Sequence, residues 1–429
     1  MSHLTVAAHT LGCKVNQCDT DAVLARLAGI GCNIGNFNES ADVYIINTCT
    51  VTHASDKKSR QIVRRAKKQN PNSFVAICGC MAKNDPHVAH ELGVDFIFDA
   101  RNPNDFIDEI VKRRTNKVPI SQRIIIKNRT RAFVKIQDGC NRFCSYCIVP
   151  YVRGNPISRP ITDIVTEIES HIENGVQEIV LTGIQVASYG EDFNSTNHQT
   201  LPLDNDMNEN LPSLIDKISK ISSLRRMRLS SIEPHAINSD FVNTVANSAT
   251  LCDHFHLSLQ SGCDATLDRM NRRYTTAEYT TAIEQLRNIR PNAAFTTDII
   301  VGFPGETDDE FNRSLDFVRK MGFSRIHVFE YSPRQGTPAA NFENQIHDRI
   351  KTERSKKMRD LSIVMQQEFF LKQIGTTQHV LFETQKLGKW HGHTSNYCPV
   401  AISSDANLTN SIHKVAITGY DNNGLIGTI

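Results

Sequence analysis

The chain has 429 residues, too many for one ordinary core, and a prior of roughly 150 residues per domain points to two to four domains. Its 48 basic and 46 acidic residues leave a net charge of +2, which excludes nucleic-acid recognition by global charge and confines any basic surface to a patch. No charged leader precedes an apolar run, and no stretch nears the about 18 apolar residues of a membrane span, so the twelve cysteines are expected in a reducing cytoplasm, where clustered cysteines bind metal more often than they form disulfides.

The first hundred residues alternate short apolar runs at 4–8, 43–47, 74–78 and 95–98 with amphipathic stretches at 20–28 and 56–68. That rhythm predicts a doubly wound parallel α/β domain, assigned to residues 2–115. A basic connector over 112–131 leads to six further strand candidates at 132–136, 178–182, 226–230, 254–259, 294–301 and 324–330. Helical patterns at 161–175, 211–221, 276–289 and 308–321 lie between them, which predicts a partial or complete βα barrel over 126–358, with function on the loops after strands. The polar stretch 191–210 reads as a mobile surface loop. A charged helix over 346–373 precedes runs at 379–383, 397–402 and 413–418, the pattern of a small β-barrel, and the tail domain is assigned to 368–429.

Directly after the first barrel strand comes Gln137-Asp138-Gly139-Cys140-Asn141-Arg142-Phe143-Cys144-Ser145-Tyr146-Cys147. Three thiolates in one loop can each take one iron of a four-iron cubane, leaving the fourth iron without a protein thiolate. Structural zinc is the plainer alternative, but it wants four closed ligands, and this loop offers three with no nearby histidine. Unliganded core cysteines are the other alternative.

The Cys-x3-Cys-x-aromatic-Cys loop resembles the signature of the radical S-adenosylmethionine superfamily. The resemblance implies that Cys140, Cys144 and Cys147 hold a 4Fe-4S cluster that cleaves S-adenosylmethionine to a 5′-deoxyadenosyl radical, with Tyr146 near the adenine. It also implies that Gly183 supports the methionine end of the cofactor, and makes Glu233 and Gln260 candidates for ribose or amino contacts. All three stand at the ends of barrel strands, where a glycine such as Gly183 could instead be a turn residue that needs positive φ.

A second trio shares one address: Cys13, Cys49 and Cys80 each follow a strand of the first domain. In a parallel sheet the carboxyl ends lie along one edge, so the three can converge there. Scattered buried cysteines are the alternative, and Cys18, Cys32, Cys78, Cys252, Cys263 and Cys398 are read that way. With the radical loop and the small tail barrel, this layout resembles the methylthiotransferases over almost the whole chain. The phrases Leu-Gly-Cys-Lys-Val-Asn at 11–16, Asn-Thr-Cys-Thr-Val-Thr at 47–52 and Gly-His-Thr-Ser-Asn-Tyr at 392–397 look like the branch that acts on N6-threonylcarbamoyladenosine (t6A) beside the tRNA anticodon, the last of them within a TRAM domain. Lys83 and Asp99-Ala100-Arg101 depart from the family pattern at positions expected to touch no ligand.

The resemblance implies a second 4Fe-4S cluster on Cys13, Cys49 and Cys80 that holds a methylthio group. It also implies two uses of S-adenosylmethionine, a tRNA carrying t6A as partner, and an electron donor such as a flavodoxin or ferredoxin, with no membrane. Carbon 2 of adenine has an inert C–H bond, for which a carbon radical is a suitable tool. The helix over 56–68 puts Lys57, Arg60 and Arg64 on one face, a candidate phosphate contact or a merely solvated surface. Trp390 and Tyr397 are candidates for base stacking, with core packing as the plainer role for Trp390. The alternatives in function are a ribosomal-protein or isopentenyladenosine acceptor in the same family, and, in another class, a non-catalytic iron–sulfur RNA-binding protein.

Overall fold

The computed structural model describes residues 4–113, 130–193 and 209–429. Most of the expected connector over 112–131 and of the polar loop over 191–210 lies outside them.

In the N-terminal domain β1 (Thr5–Thr10), β2 (Asn33–Gly35), β3 (Val43–Thr48), β4 (Phe74–Gly79) and β5 (Phe96–Ile97) form one parallel sheet in the order β2-β1-β3-β4-β5. Helices cover both faces, so central strands must be apolar on both, and β3 is buried at every position. Val6, Ile45 and Ala76 pack with Leu27 of α1 (Lys14–Gly29) on one face, and Tyr44, Ile46 and Ile77 with Val63 of α2 (His53–Gln69) on the other. The edge strand β2 was not expected, because its three residues hold a single large apolar side chain, Ile34.

The second domain contains β6 (Arg131–Asp138), β7 (Ile157–Ser158), β8 (Glu178–Gly183), β9 (Arg226–Leu229), β10 (His254–His256), β11 (Ala294–Val301) and β12 (Arg325–Glu330). Parallel pairing runs β6-β8-β9 and β10-β11-β12, and two parallel bridges, Met227 to Leu251 and Ile232 to Leu257, join the two arcs. Among the described residues nothing pairs β12 with β6, so the barrel is partial. Along β6 the side chains of Ala132, Val134 and Ile136 pack outward on Ile164 and Ile168, which turns Arg131, Phe133 and Lys135 inward. The fourth barrel strand is shorter than expected: regular pairing ends at His256, and Gln260, whose φ of 71° is left-handed, keeps only an isolated bridge to Ile299 of β11.

The helix Asp348–Leu371 leads to β13 (Thr377–Lys386), β14 (Lys389–Thr394), β15 (Pro399–Ile402), β16 (Ser411–Asp421) and β17 (Gly424–Thr428), which close in the order β13-β14-β15-β17-β16. Trp390 is buried in its core among Val380, Phe382 and Val400, so it is not a base-stacking platform. Tyr397 is also engaged, stacked on His393 at 4.8 Å and under the guanidinium of Arg228 at 4.4 Å. This contact belongs to a polar seam at the amino ends of the strands: Arg226 donates to the carbonyl of His393, Arg228 to that of Ser395, and Arg131 pairs with Glu383. The tail barrel therefore seals the barrel floor and leaves the carboxyl ends of the strands open.

At the open side α1 lies against the inner face of β6. Lys135 pairs with Asp19, and the Cys18 thiol donates to the Phe133 carbonyl at 3.4 Å.

Candidate active site

The chain leaves β6 through Asp138 and turns at Gly139, where φ is 74° and a Cβ would overlap the Asn155 carbonyl oxygen. The Cys140 amide donates to the Gly154 carbonyl and the Ser145 amide to that of Met270, which clamps the loop at both ends. Donors point at the sulfurs: the Arg142 amide reaches Cys140 Sγ at 3.4 Å and Arg272 Nη1 reaches Cys144 Sγ at 3.3 Å. Burial raises the Cys140 thiol and pushes Cys147 up to about 12, with the charge of Cys144 adding to each. Three thiols in one loop, Cys140 and Cys147 costly to ionise alone and Cys140 and Cys144 already met by N–H donors, make a donor set that the positive charge of a metal cluster would satisfy.

The structure brings Cys13, Cys49 and Cys80 together at the carboxyl edge of the N-terminal sheet. A Cβ on Gly12 would lie 3.1 Å from Cys49 Sγ. Burial pushes Cys80 up to about 11 against the pull of Arg153, and the charges of Cys49 and Cys13 push the same way. Cys13 and Cys80 each stand at the start of a helix, Cys80 after Gly79, whose φ is 86°. Amide dipoles there favour a thiolate. Cys78, two residues before Cys80, points into the apolar core instead.

Arg153 joins the two trios and carries no signal in the sequence, because its partners on the N-terminal domain, Asn16 and Asp19, are more than a hundred residues away. It donates twice to Asp138, at 2.8 and 2.9 Å, and to Asn16 Oδ1 at 2.5 Å, and it lies 3.3 Å from Asp19. One buried guanidinium thus ties the residue before the radical loop to the helix after Cys13. Beside it a cavity of about 270 Å³ is lined by Cys80, Lys83, Asp99, Ala100, Arg101 and Arg153. Lys83 and Asp99–Arg101 were expected away from any site; they border the Cys80 cavity, and Arg101 donates to the Arg153 carbonyl at 2.8 Å.

Of the expected cofactor residues, Glu233 is the most engaged. Gln185 donates to it at 2.6 Å and Arg272 lies 2.7 Å away, and with Cys144 and His235 it borders a cavity of about 140 Å³ beside the radical loop. Arg272 carried no spacing signal, since it sits 128 residues beyond Cys144. Gly183 has ordinary φ, but a Cβ there would press on the Gln137 carbonyl at 3.0 Å, so close packing explains the glycine. Tyr146 is half-buried, its ring edge-on to Phe303 at 6.4 Å. Gln260 lies at the rim, bonded through its backbone to Asp298 and Ile300.

Residues 134–318 match the profile of the radical SAM superfamily, and residues 5–99 match that of uncharacterized protein family UPF0004. The radical S-adenosylmethionine methyltransferase TsrM from Kitasatospora setae, 12% identical, shares the fold with a TM-score of 0.58, over 86% of this chain and 89% of its own. Threonylcarbamoyladenosine tRNA methylthiotransferase MtaB from Bacillus subtilis (strain 168) is 35% identical, over 98% of this chain and 95% of its own length. The chain belongs to the radical S-adenosylmethionine methylthiotransferase family. Another relative, the tRNA-2-methylthio-N(6)-dimethylallyladenosine synthase of Pelotomaculum thermopropionicum, is 33% identical over 95% of this chain and 94% of its own. As a methylthiotransferase of this family the protein works with S-adenosylmethionine and iron–sulfur clusters, and both trios fit such a group. None of its described helices is long and apolar enough to cross a membrane.

The basic face expected on α2 is present. Ser59, Val63 and Ala66 turn inward, and Lys57 and Arg64 stand exposed with Arg60 half-exposed between them, none in an ion pair among the described residues. Arg334 anchors the helix beside the barrel mouth by pairing with Asp56 at 2.6 Å.

Proposed function

We propose that the protein is a tRNA methylthiotransferase that converts t6A at position 37 to 2-methylthio-N6-threonylcarbamoyladenosine. The observation that carries this reading is the pair of cysteine trios, one on each domain, tied together by Arg153 at the open end of the barrel. Full-length similarity to MtaB proteins, at 35% and 33% identity in two of them, favours the threonylcarbamoyl acceptor. The isopentenyl acceptor is the second reading, because synthases acting on that base are nearly as similar.

Cys140, Cys144 and Cys147 would hold one 4Fe-4S cluster, and Cys13, Cys49 and Cys80 the other. When bound, the first supplies the low-potential electron that cleaves S-adenosylmethionine, and the second holds the sulfur to be transferred. Arg272 donates to Cys144 and balances Glu233, which leaves that carboxylate placed to receive the cofactor's hydroxyl or amino donors, with Tyr146, Gly183 and Gln260 at the same rim. Arg153 keeps the two cysteine loops in one register. Lys57, Arg60 and Arg64 meet the backbone of the anticodon stem, which supplies affinity and orientation rather than sequence reading. A flavodoxin or ferredoxin delivers the electron, in the cytoplasm.

The test is to offer reconstituted enzyme, with reductant and S-adenosylmethionine, tRNA bearing t6A, tRNA bearing isopentenyladenosine, and ribosomes, in parallel. Nucleoside mass spectrometry should find the methylthio group on t6A. Its appearance only on isopentenyladenosine or on a ribosomal protein would overturn the assignment, and absence of 5′-deoxyadenosine would overturn radical chemistry altogether.

A further inference from the structure

Lys14, next to Cys13, has no part in the assignments above. It opens α1 at the unclosed side of the barrel, and its ammonium lies 5.8 Å from the ring of Phe133, which projects from the inner face of β6. It stands within the fields of Arg228, Arg131 and Glu178 from the barrel floor and of His254 and His327 from the opposite strands. Its side chain is reached by water, yet among the described residues it makes no ion pair and no side-chain hydrogen bond. The neighbouring carboxylates are committed elsewhere: Glu178 to Arg131 and Arg228, Asp298 to His256, and Asp19 to Lys135 and Arg153. Lys14 is therefore a cation without a partner at the mouth, placed to take an anion, while the one carboxylate close to His327, Asp298, is bonded to His256.

The facing wall suits a base that carries such an anion. Along β12 the inward positions Arg325, His327 and Phe329 are exposed to the opening, and Phe329 presents 44% of its surface, a flat apolar face in an otherwise polar mouth. His327 pairs in register with Asp298 and Phe329 with Ile300, and the ring of His256 lies 5.8 Å from that of His327. The Phe133 ring beside an unpaired ammonium, with two imidazoles and the Phe329 face on the opposite wall, matches a purine with a carboxylate on a short polar arm. An isopentenyl arm would leave the ammonium desolvated and unpaired.

We infer that Lys14, with His327 facing it from β12, forms the subsite for the carboxylate of the threonyl arm on the substrate base, and that it selects this base over those with uncharged arms. The inference rests on the proposed acceptor. Because Lys14 follows Cys13, the subsite would hold the arm next to the cluster from which sulfur is delivered.

The test measures binding of anticodon stem-loop RNA to full-length, cluster-loaded enzyme by fluorescence anisotropy. Two RNAs are compared, one bearing t6A and one in which the threonyl carboxylate is a primary carboxamide; both keep every phosphate, so a backbone contact cannot distinguish them. Wild type should bind the acid at least about tenfold more tightly, the size of one charge-assisted pair. Lys14→Gln should weaken the acid to the level of the amide and change the amide by less than about twofold, and Lys14→Arg should retain the preference. Iron content of each variant guards against an indirect effect through Cys13. If Lys14→Gln fails to load its cluster, the wild-type comparison still decides. Equal binding of acid and amide by wild type, or equal loss of both in Lys14→Gln, overturns the inference. Methylthiolation of t6A without an acid preference would overturn Lys14 and leave the proposed function standing. An acid preference without methylthiolation would do the reverse.

Discussion

Gly139 and Gly79 each set a cysteine loop at its exit from a strand, and each has φ in the left-handed region with backbone where a Cβ would go. Alanine at either place costs roughly 2 kcal/mol or more in strain, and the chain relieves it by moving the loop. Gly139→Ala is therefore expected to lower the iron of reconstituted protein from about eight to about four per chain by disturbing Cys140, and Gly79→Ala to do so by disturbing Cys80. Iron analysis with the electron paramagnetic resonance of each variant measures this, and full iron in both would show that the loops tolerate the strain. At this scale the sequence was most legible where ligands share one loop, as Cys140, Cys144 and Cys147 do. It was least legible where a side chain acts across the fold: Arg153 and Arg272 carry no signal in the sequence, and only the fold brings Asn16 to one and Cys144 to the other.

The barrel floor shows why strands were found as apolar runs while their inner faces went unread. Arg226, Arg228 and Glu178 belong to strands recognised by their apolar neighbours, but periodicity alone does not say that the polar residues point inward to meet a second barrel. Edge strand β2 was missed for the opposite reason, since it has almost no apolar content. Glu178 is the hub of the floor, fully buried, 3.0 Å from Arg228 and paired also with Arg131. Burial alone would raise its carboxyl; Arg228 and then Arg131 outweigh burial and hold it at about 2, below its ordinary 4.5. A depressed carboxyl stabilises the fold fully above its unfolded value and loses that contribution as pH falls through the folded value. The floor should thus weaken progressively from about pH 4.5 toward pH 2, by on the order of 3 kcal/mol. Glu178→Gln leaves two buried guanidinium groups without their shared anion and is expected to cost about 3–5 kcal/mol at neutral pH. Urea unfolding at pH 7 and pH 4 checks both statements: the variant should start lower and change less with acid than wild type. An equal acid slope in the two proteins would assign the loss to other carboxylates.

Across the whole molecule a net charge of only +2 leaves tRNA affinity to local surfaces, and α2 supplies one whose cations face away from the sheet. The helix is tethered by Asp56 to Arg334 and by the His53 amide to Ser332, both in the chain just beyond β12, so its basic face stands at the edge of the barrel mouth. A stem bound there would lie beside the opening that, under the proposed function, admits base 37. Each phosphate met by a cation releases counterions, so the dependence of log Kd on log salt counts such contacts, about one per residue. Replacing Lys57, Arg60 and Arg64 together by Ala should lower that slope by two to three and weaken tRNA binding at low salt by on the order of a hundredfold. Stability should change little, because none of the three side chains holds another in place. Loss of affinity should be the same for tRNA with and without t6A, since phosphates carry no information about the base, and this separates the α2 face from the Lys14 subsite. An unchanged salt slope would mean that these cations are only solvated, and that the stem is held by another face of the protein.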